Sequence, residues 1–253
     1  MDREFYLEKK AIALLFALCA VACKSSSVGA EASKQPQAVS PNTQLPAGAV
    51  ATAPAAAAVE RPVAGGSATV GQPAPDFRLP DLDGQLVSLS QFKGKRVVLE
   101  WFNPQCPFVK AAHTKGSLVD AAEQAVKDGV VWLAINSGAP GKQGHGVEAS
   151  RTGQQEFGIK HPILIDEDGH VGRSYGATNT PHLFVIDEQG VLVYAGAVDN
   201  SPDGEGQSPT GGSLVSYVAQ ALGDLKAGRA VSISQTKAYG CGVKYAVAVP
   251  VSH

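Results

Sequence analysis

The chain carries four cysteines, at positions 19, 23, 106 and 241, and these are the side chains best able to do covalent chemistry. Cys106 stands in Asn103-Pro104-Gln105-Cys106-Pro107, directly after the apolar, β-rich run RVVLEWF. Asn is a preferred helix N-cap and Pro is favoured at the first helical position. The spacing therefore predicts a helix beginning at Asn103, with Cys106 in its first turn. Amides in that turn have no helical partner, and the dipole is positive there. Both effects favour a thiolate, the nucleophilic form of cysteine. Lys110, one turn on, adds positive charge to the same end. Pro107 biases Cys106 away from helical angles, so some distortion of the turn is expected. The competing reading makes Cys106 a small buried hydrophobe. For redox work its sulfur must lie at the helix start and open to solvent.

Cys241 lies between two glycines in YGCGVKY, on a C-terminal extension spanning 229–253. It is a redox partner for Cys106, a structural disulfide partner, or a thiol that never meets Cys106. Pairing needs Cα atoms within about 7 Å, which spacing along the chain does not decide. His113 falls seven residues after Cys106 and is expected at the surface of the same helix. His182 follows Thr180-Pro181 and is a candidate for the rim of a groove. Trp101 and Phe102 pack in the core or rim the site. His145, His161 and His170 lack metal-ligand spacing, and no metal site is assigned. Asp199, in AGAVDNSPDGEG, belongs to a cation-binding loop or, more simply, to a solvated one.

The N-terminus reads as an address. Lys9 and Lys10 precede AIALLFALCAVA, which ends at Cys23. About twelve apolar residues fall short of a spanning helix and suit the core of a secretory signal peptide. The acids Asp2, Glu4 and Glu8 leave the positive charge to the lysine pair. The small residues in AVAC resemble a lipoprotein signal-peptidase site, although Ala20 stands where Leu is usual. That resemblance implies cleavage after residue 22 and lipid on Cys23, anchoring the chain at a bacterial cell envelope and facing periplasm or exterior. A plain signal peptide and a short uncleaved anchor are the alternatives. Residues 24–70 are mostly Ala, Pro, Ser, Gly, Val and Gln, with no aromatic residue. Such a stretch buries too little surface to offset its ordering entropy. As a flexible linker it reaches about 40 Å root-mean-square. The organisation expected is a signal peptide (1–22), a lipidated Cys23 with its Ala/Pro-rich linker (23–69), one folded domain (70–228) and the extension carrying Cys241 (229–253). In an oxidising compartment Cys106 and Cys241 are the two thiols left to pair.

The folded region alternates strand and helix signals. QPAPDFRLPDLDGQLVSLSQFKGK reads as a β-hairpin turning at Asp83-Gly84. RVVLEWF is a buried strand, followed by a helix expected to run from Asn103 to about Asp128, with Gly116 and Ser117 as a bend. VVWLAIN (130–136) is a second buried strand. A Gly-rich loop, a helix over 147–157, the short strand PILID and a short helix in HVGRSYG come next. HLFVID and VLVYAGA form a hairpin around Glu188-Gln189-Gly190. From Ser213, the residues Leu214, Val215, Val218, Ala221, Leu222 and Leu225 keep helical spacing. The order predicts an α/β fold, a central mixed sheet flanked by helices, with an N-terminal hairpin extension. Net charge is −2, without a basic stripe, which removes the electrostatic footprint of nucleic-acid binding.

The segments VGQPAPDFRLPDLDGQLVSLSQFKGKRVVLEWFNPQCPFVKA and YGATNTPHLFVIDEQGVLVYAG resemble the thioredoxin-like superfamily, in its redoxin (alkyl hydroperoxide reductase/thiol-specific antioxidant) branch. NPQCPFVKA and YGCGVKY are similar to peroxiredoxin-like proteins with a Cys-Asn-His-Cys-Pro-type site. The resemblance covers residues 70–245. It implies an active site at the first long helix's N-terminus, a groove formed by Asn103, Pro104, Thr180 and Pro181, and a cis Thr180-Pro181 bond facing Cys106. The departures are specific. Asn103 replaces the first cysteine of a thioredoxin pair, leaving Cys106 on the second position, where peroxiredoxins carry their peroxide-attacking thiol. Peroxiredoxins have Thr or Ser at the place of Asn103 and an Arg before the late strand, where this chain has Thr180-Pro181-His182. Asn179 lies where relatives often have Cys.

The function expected is thiol-dependent oxidoreduction with Cys106 as redox thiol. Either peroxide oxidises Cys106 to a sulfenic acid, which Cys241 or an outside thiol condenses to a disulfide, or Cys106 exchanges disulfides with Cys241 or a partner. The substrate is then a peroxide or disulfide, with an external thiol as reductant and no cofactor. The alternative is a non-catalytic binding module at the envelope. A third idea, metal handling by Cys106 and Cys241, lacks the cysteine spacing and a clear His ligand.

Overall fold

A computed structural model describes residues 67–247, all within one unit of the chain, Ala57–His253. The expected hairpin is β1 (Arg78–Pro80) and β2 (Leu86–Ser88), antiparallel around Asp81–Gln85. The Asp81 carboxylate accepts the Asp83 and Gln85 amides and so holds the turn. A 3-10 turn, Leu89–Phe92, leads into the central strand β3 (Val97–Trp101). Beside it lie β4 (Val131–Asn136), β5 (Ile163–Ile165), β7 (His182–Ile186) and β8 (Leu192–Gly196), in the order β5-β4-β3-β7-β8. β3, β4 and β5 run parallel, while β7 and β8 run antiparallel to their neighbours, which makes the sheet mixed.

The period of two along β3 sorts the core into two layers. Val97, Leu99 and Trp101 point to the face covered by the hairpin and α4 (His170–Ser174), where Leu79, Val171, Tyr175 and Phe184 pack against them. Val98 and Glu100 point to the other face. There Val98 joins side chains of α1 (Pro107–Thr114), α2 (Ala121–Lys127) and α5 (Tyr217–Lys226). The fourth helix of this set, α3 (Gly146–Glu156), lies against β5.

Two expectations about the first long helix need correction. Its N-cap is Cys106 rather than Asn103, because Pro107 forces Cys106 into an extended conformation (φ −83°, ψ 123°) and takes the first helical position expected for Pro104. It also does not run through to Asp128, since α1 stops at Thr114 and α2 begins at Ala121. Gly116 is where the chain breaks: a Cβ there would lie 2.5 Å from the Gly204 carbonyl oxygen, so the 199–212 loop packs directly on this backbone. Likewise α5 begins at Tyr217, leaving Leu214 outside the helix and exposed.

The extension is tied down along its length. Asp224 receives Arg229 and Ser232, while the Ala195 amide donates to the Ser234 carbonyl and the Thr236 amide donates to the Ala195 carbonyl. Tyr239 donates to Asp199, and Tyr245 donates to the Ala177 carbonyl and lies under Arg173. Between these anchors runs β9 (Cys241–Gly242), which pairs antiparallel with the two-residue strand β6 (Asn179–Thr180). The expectations for residues 1–66, including the signal peptide and lipidated Cys23, lie outside the described residues. Among the described residues no helix is long and apolar enough to cross a membrane.

Candidate redox site

Cys106 is the N-cap of α1, reached by a tight turn out of β3. The turn closes with the Cys106 amide donating to the Asn103 carbonyl at 3.0 Å. Asn103 is buried and works inside that turn: its Oδ1 accepts the Gln105 amide at 2.9 Å and its Nδ2 donates to the Gln143 carbonyl at 3.1 Å. Pro104 is buried against α3, where a Cβ on Gly153 would come within 2.5 Å of it. Asn103 and Pro104 thus brace the turn from below rather than lining an open groove. Lys110 turns away to an ion pair with Glu156 on α3.

Thr180-Pro181 is cis, and it faces Cys106. The Cys106 S–H donates to the Thr180 carbonyl at 3.1 Å. Thr180 is also the residue that β9 pairs with Cys241, and its hydroxyl donates to the Cys241 carbonyl at 3.4 Å. This register carries Cys241 to the side of Cys106. Both thiols are free, and Cys241 packs against the apolar cluster that holds Cys106. Burial, then the neighbouring Cys106, push the Cys241 thiol up to about 11. The Phe108 amide, in the first turn of α1, is directed at the Cys241 sulfur. No first-turn amide caps the Cys106 side chain. The helix start therefore serves Cys241, a correction to the expected arrangement.

The second correction concerns access. Cys106 is 0% exposed, packed among Phe102, Val109 and Ile159, whereas Cys241 is half-buried. The open sulfur required of Cys106 is absent, which removes the reading of Cys106 as a thiol that meets substrate by itself; the site reaches solvent through Cys241.

The structure also contains a buried polar cluster that the sequence reading missed. Glu100, in the middle of β3, is wholly buried. Its Oε1 lies 2.7 Å from His113 Nε2, and its Oε2 accepts the Trp132 indole N–H at 3.0 Å. Burial opposes the charge on Glu100, yet His113, at contact distance, and His161 with it, hold its carboxyl below the usual range. His113 is thus a buried partner rather than a surface residue. The overlooked signal was Glu100 itself, since a carboxylate in an apolar strand needs a partner. His161 is buried and driven down to about 4, chiefly by desolvation. His182 also falls to about 4 by burial; its Nδ1 accepts the Thr178 amide, and its ring lies 4.4 Å from Phe184. Asp199 is spent on Ser117, the Ser201 amide and Tyr239, so it anchors the 199–212 loop and the extension. Among the described residues no three His, Cys, Asp or Glu side chains lie together as a metal-binding group.

The model of the Redoxin family matches residues 69–210, more than half of the chain. The chain belongs to the Redoxin family. Its redoxin domain is similar to the thiol-disulfide oxidoreductase ResA of Geobacillus thermodenitrificans, at 34% identity over 122 residues, covering 48% of this chain and 65% of that protein. The chain thus spans slightly less than two thirds of that relative's length. It is also similar to the chloroplastic peroxiredoxin Q of Triticum aestivum, at 28% identity over 153 residues, covering 58% of this chain and 67% of that protein. Among solved structures, a hypothetical protein from Sinorhizobium meliloti superposes with a TM-score of 0.61 at 29% identity, covering 72% of this chain and 97% of that one. An uncharacterized conserved protein from Geobacillus kaustophilus gives the same TM-score at 30% identity, covering 72% and 94%. The thioredoxin-like redoxin fold expected from the sequence is therefore the fold of this chain.

Proposed function

We propose that this redoxin is a thiol-dependent oxidoreductase whose working unit is the Cys106–Cys241 pair, cycling between dithiol and disulfide. The observation that carries it is the delivery of Cys241 by β9 to Thr180, whose carbonyl accepts the Cys106 thiol, so that the two cysteines pack together. Two free thiols in such contact need little backbone movement to close a disulfide. In the forward half-cycle a substrate disulfide takes two electrons from the pair: the Cys241 thiolate attacks it, releasing one substrate thiol, and Cys106 then attacks the Cys241 sulfur of the mixed disulfide and displaces the second. The external reductant then returns the electrons. Asn103 and Pro104 hold the turn that places Cys106, and Thr180 with cis-Pro181 supplies the edge that holds Cys241.

Disulfide exchange is favoured over peroxide reduction because Cys106 lies under Cys241, and because His182, at the place of the expected Arg, is buried and neutral at neutral pH. The likeness to a peroxiredoxin keeps peroxide as the second oxidant to test. We further propose a cell-envelope location with lipid on Cys23, supported by the apolar run ending at that residue. The deciding experiment oxidises the full chain with a small disulfide and, separately, with hydrogen peroxide, then maps the cysteines by mass spectrometry. The proposal expects a Cys106–Cys241 disulfide that Cys106→Ser and Cys241→Ser each abolish. Failure of both oxidants to form it removes the redox function and leaves the binding module.

A further inference from the structure

We propose that electrons enter the oxidised site through the sulfur of Cys241, and that Cys106 is always the leaving group, because the C-terminal strap fills the edge of β6 and seals Cys106 beneath it. The inference rests on the proposed dithiol–disulfide cycle and specifies which sulfur the reductant meets.

Thiol–disulfide exchange is an in-line displacement, so its outcome depends on which sulfur an incoming thiolate can approach. Cys106 offers no approach: its side chain is 0% exposed, with Phe102, Val109 and Ile159 packed around it and the Thr180 carbonyl on its S–H. The free edge of β6, where an extended segment from outside would dock, is occupied by β9. The occupancy is close. A Cβ on Gly240 would lie 2.3 Å from the Thr180 oxygen, and the Asn179 side-chain amide donates to the Gly240 carbonyl at 3.0 Å. Tyr239 on one side, bonded to Asp199, and Tyr245 on the other, bonded to the Ala177 carbonyl, pin both ends of this segment. Both cysteines already meet Thr180 and pack in one cluster in this docked arrangement, so the pair can close with the strap seated on β6. Cys241, half-buried and flanked by the exposed Gly242, is the sulfur that solvent reaches.

The step balances as follows. An external thiolate attacks Cys241 Sγ; the new S–S bond to the reductant forms as the Cys241–Cys106 bond breaks, and the electron pair leaves on Cys106. That sulfur takes the proton given up by the reductant and returns to the Thr180 carbonyl. A second external thiolate attacks the mixed disulfide, releasing the oxidised reductant and restoring the Cys241 thiol. Two external thiols become one disulfide, and the protein gains two electrons and two protons.

The test uses the full chain, oxidised by diamide and checked by mass for the Cys106–Cys241 bond. It is then mixed with glutathione, acid-quenched at early times, alkylated and mapped. The inference expects glutathione on Cys241 with Cys106 alkylated, in excess over the reverse adduct by about tenfold or more, since access decides the attacked sulfur. Glutathione on Cys106, or an even split, overturns the inference while leaving the dithiol cycle standing. Absence of the bond after diamide overturns the cycle itself, and the inference with it. Gly240→Val supplies a further arm: with the strap pushed off β6, the preference for Cys241 should fall to near parity, and a preference unchanged from wild type also overturns the inference.

Discussion

Replacing Gly240 by alanine should unseal Cys106. Gly240 has φ +106°, and an added Cβ would lie 2.3 Å from the Thr180 oxygen and 3.0 Å from its carbonyl carbon. An L-residue held in the left-handed region costs about 1–2 kcal/mol. The overlap adds to this, since the atoms in the way are backbone at the cis-proline turn and cannot rotate aside. A docking equilibrium weakened by ~1.4 kcal/mol raises the open population tenfold. The assay is native-state alkylation of Cys106 by iodoacetamide, followed by peptide mapping. Cys106 in Gly240→Ala should react at least ~10-fold faster than in wild type, because alkylation of a sealed thiol follows the open population. Gly242 provides the control: its nearest non-local atom to an added Cβ is 3.9 Å away, so Gly242→Ala should alkylate like wild type. Wild-type protection of Cys106 in Gly240→Ala, with the far-UV spectrum intact, would refute the argument that β9 seals the site.

Three further outcomes are expected. Glu100→Leu leaves the His113 and Trp132 nitrogens buried without their acceptor; breaking such a pair costs about 3–5 kcal/mol, seen as a Tm lower by roughly 6–20 °C for a domain of this size. His161 and His182 ionise near 4 in the folded chain, below the unfolded value of 6.5. The unfolded chain thus binds more protons between those values, so stability is full above pH 6.5 and falls as pH drops toward 4, by up to about 3 kcal/mol per histidine. Urea midpoints measured from pH 7.5 to 4.5 check this, and His161→Gln should flatten the slope. Tyr239→Phe removes the bond to Asp199, loosening the strap by about 1–3 kcal/mol; amides of 236–245 should exchange hydrogen faster while those of β3 stay unchanged.

Much of the scaffold was legible along the chain. The continuous apolar, β-rich run RVVLEWF marked β3 as a buried strand before any neighbour was known. Asp83-Gly84 marked one hairpin and Gly190 another. The start of α1 moves from Pro104 to Pro107 because two prolines compete for the same role, and Pro107 takes it by dictating the angles of the residue before it. The partner of Glu100 was missed because an apolar run marks burial without naming what faces it.

The sequence alone determined the alternation of strands and helices and a helix beginning close to Cys106, since these follow from short-range periodicity and backbone preference; the redoxin scaffold was implied by the resemblance of its motifs, and the two thiols of the folded part were read directly from the residues. The tertiary structure alone decided that Cys241 meets Cys106, that Cys106 is the covered sulfur of the two, and that the α1 amide at Phe108 serves Cys241. β9 is two residues long and finds its partner strand 61 residues away. A segment that short carries no repeat to read, and contact over such a separation is set by which surfaces survive the entropy of closing the loop between them.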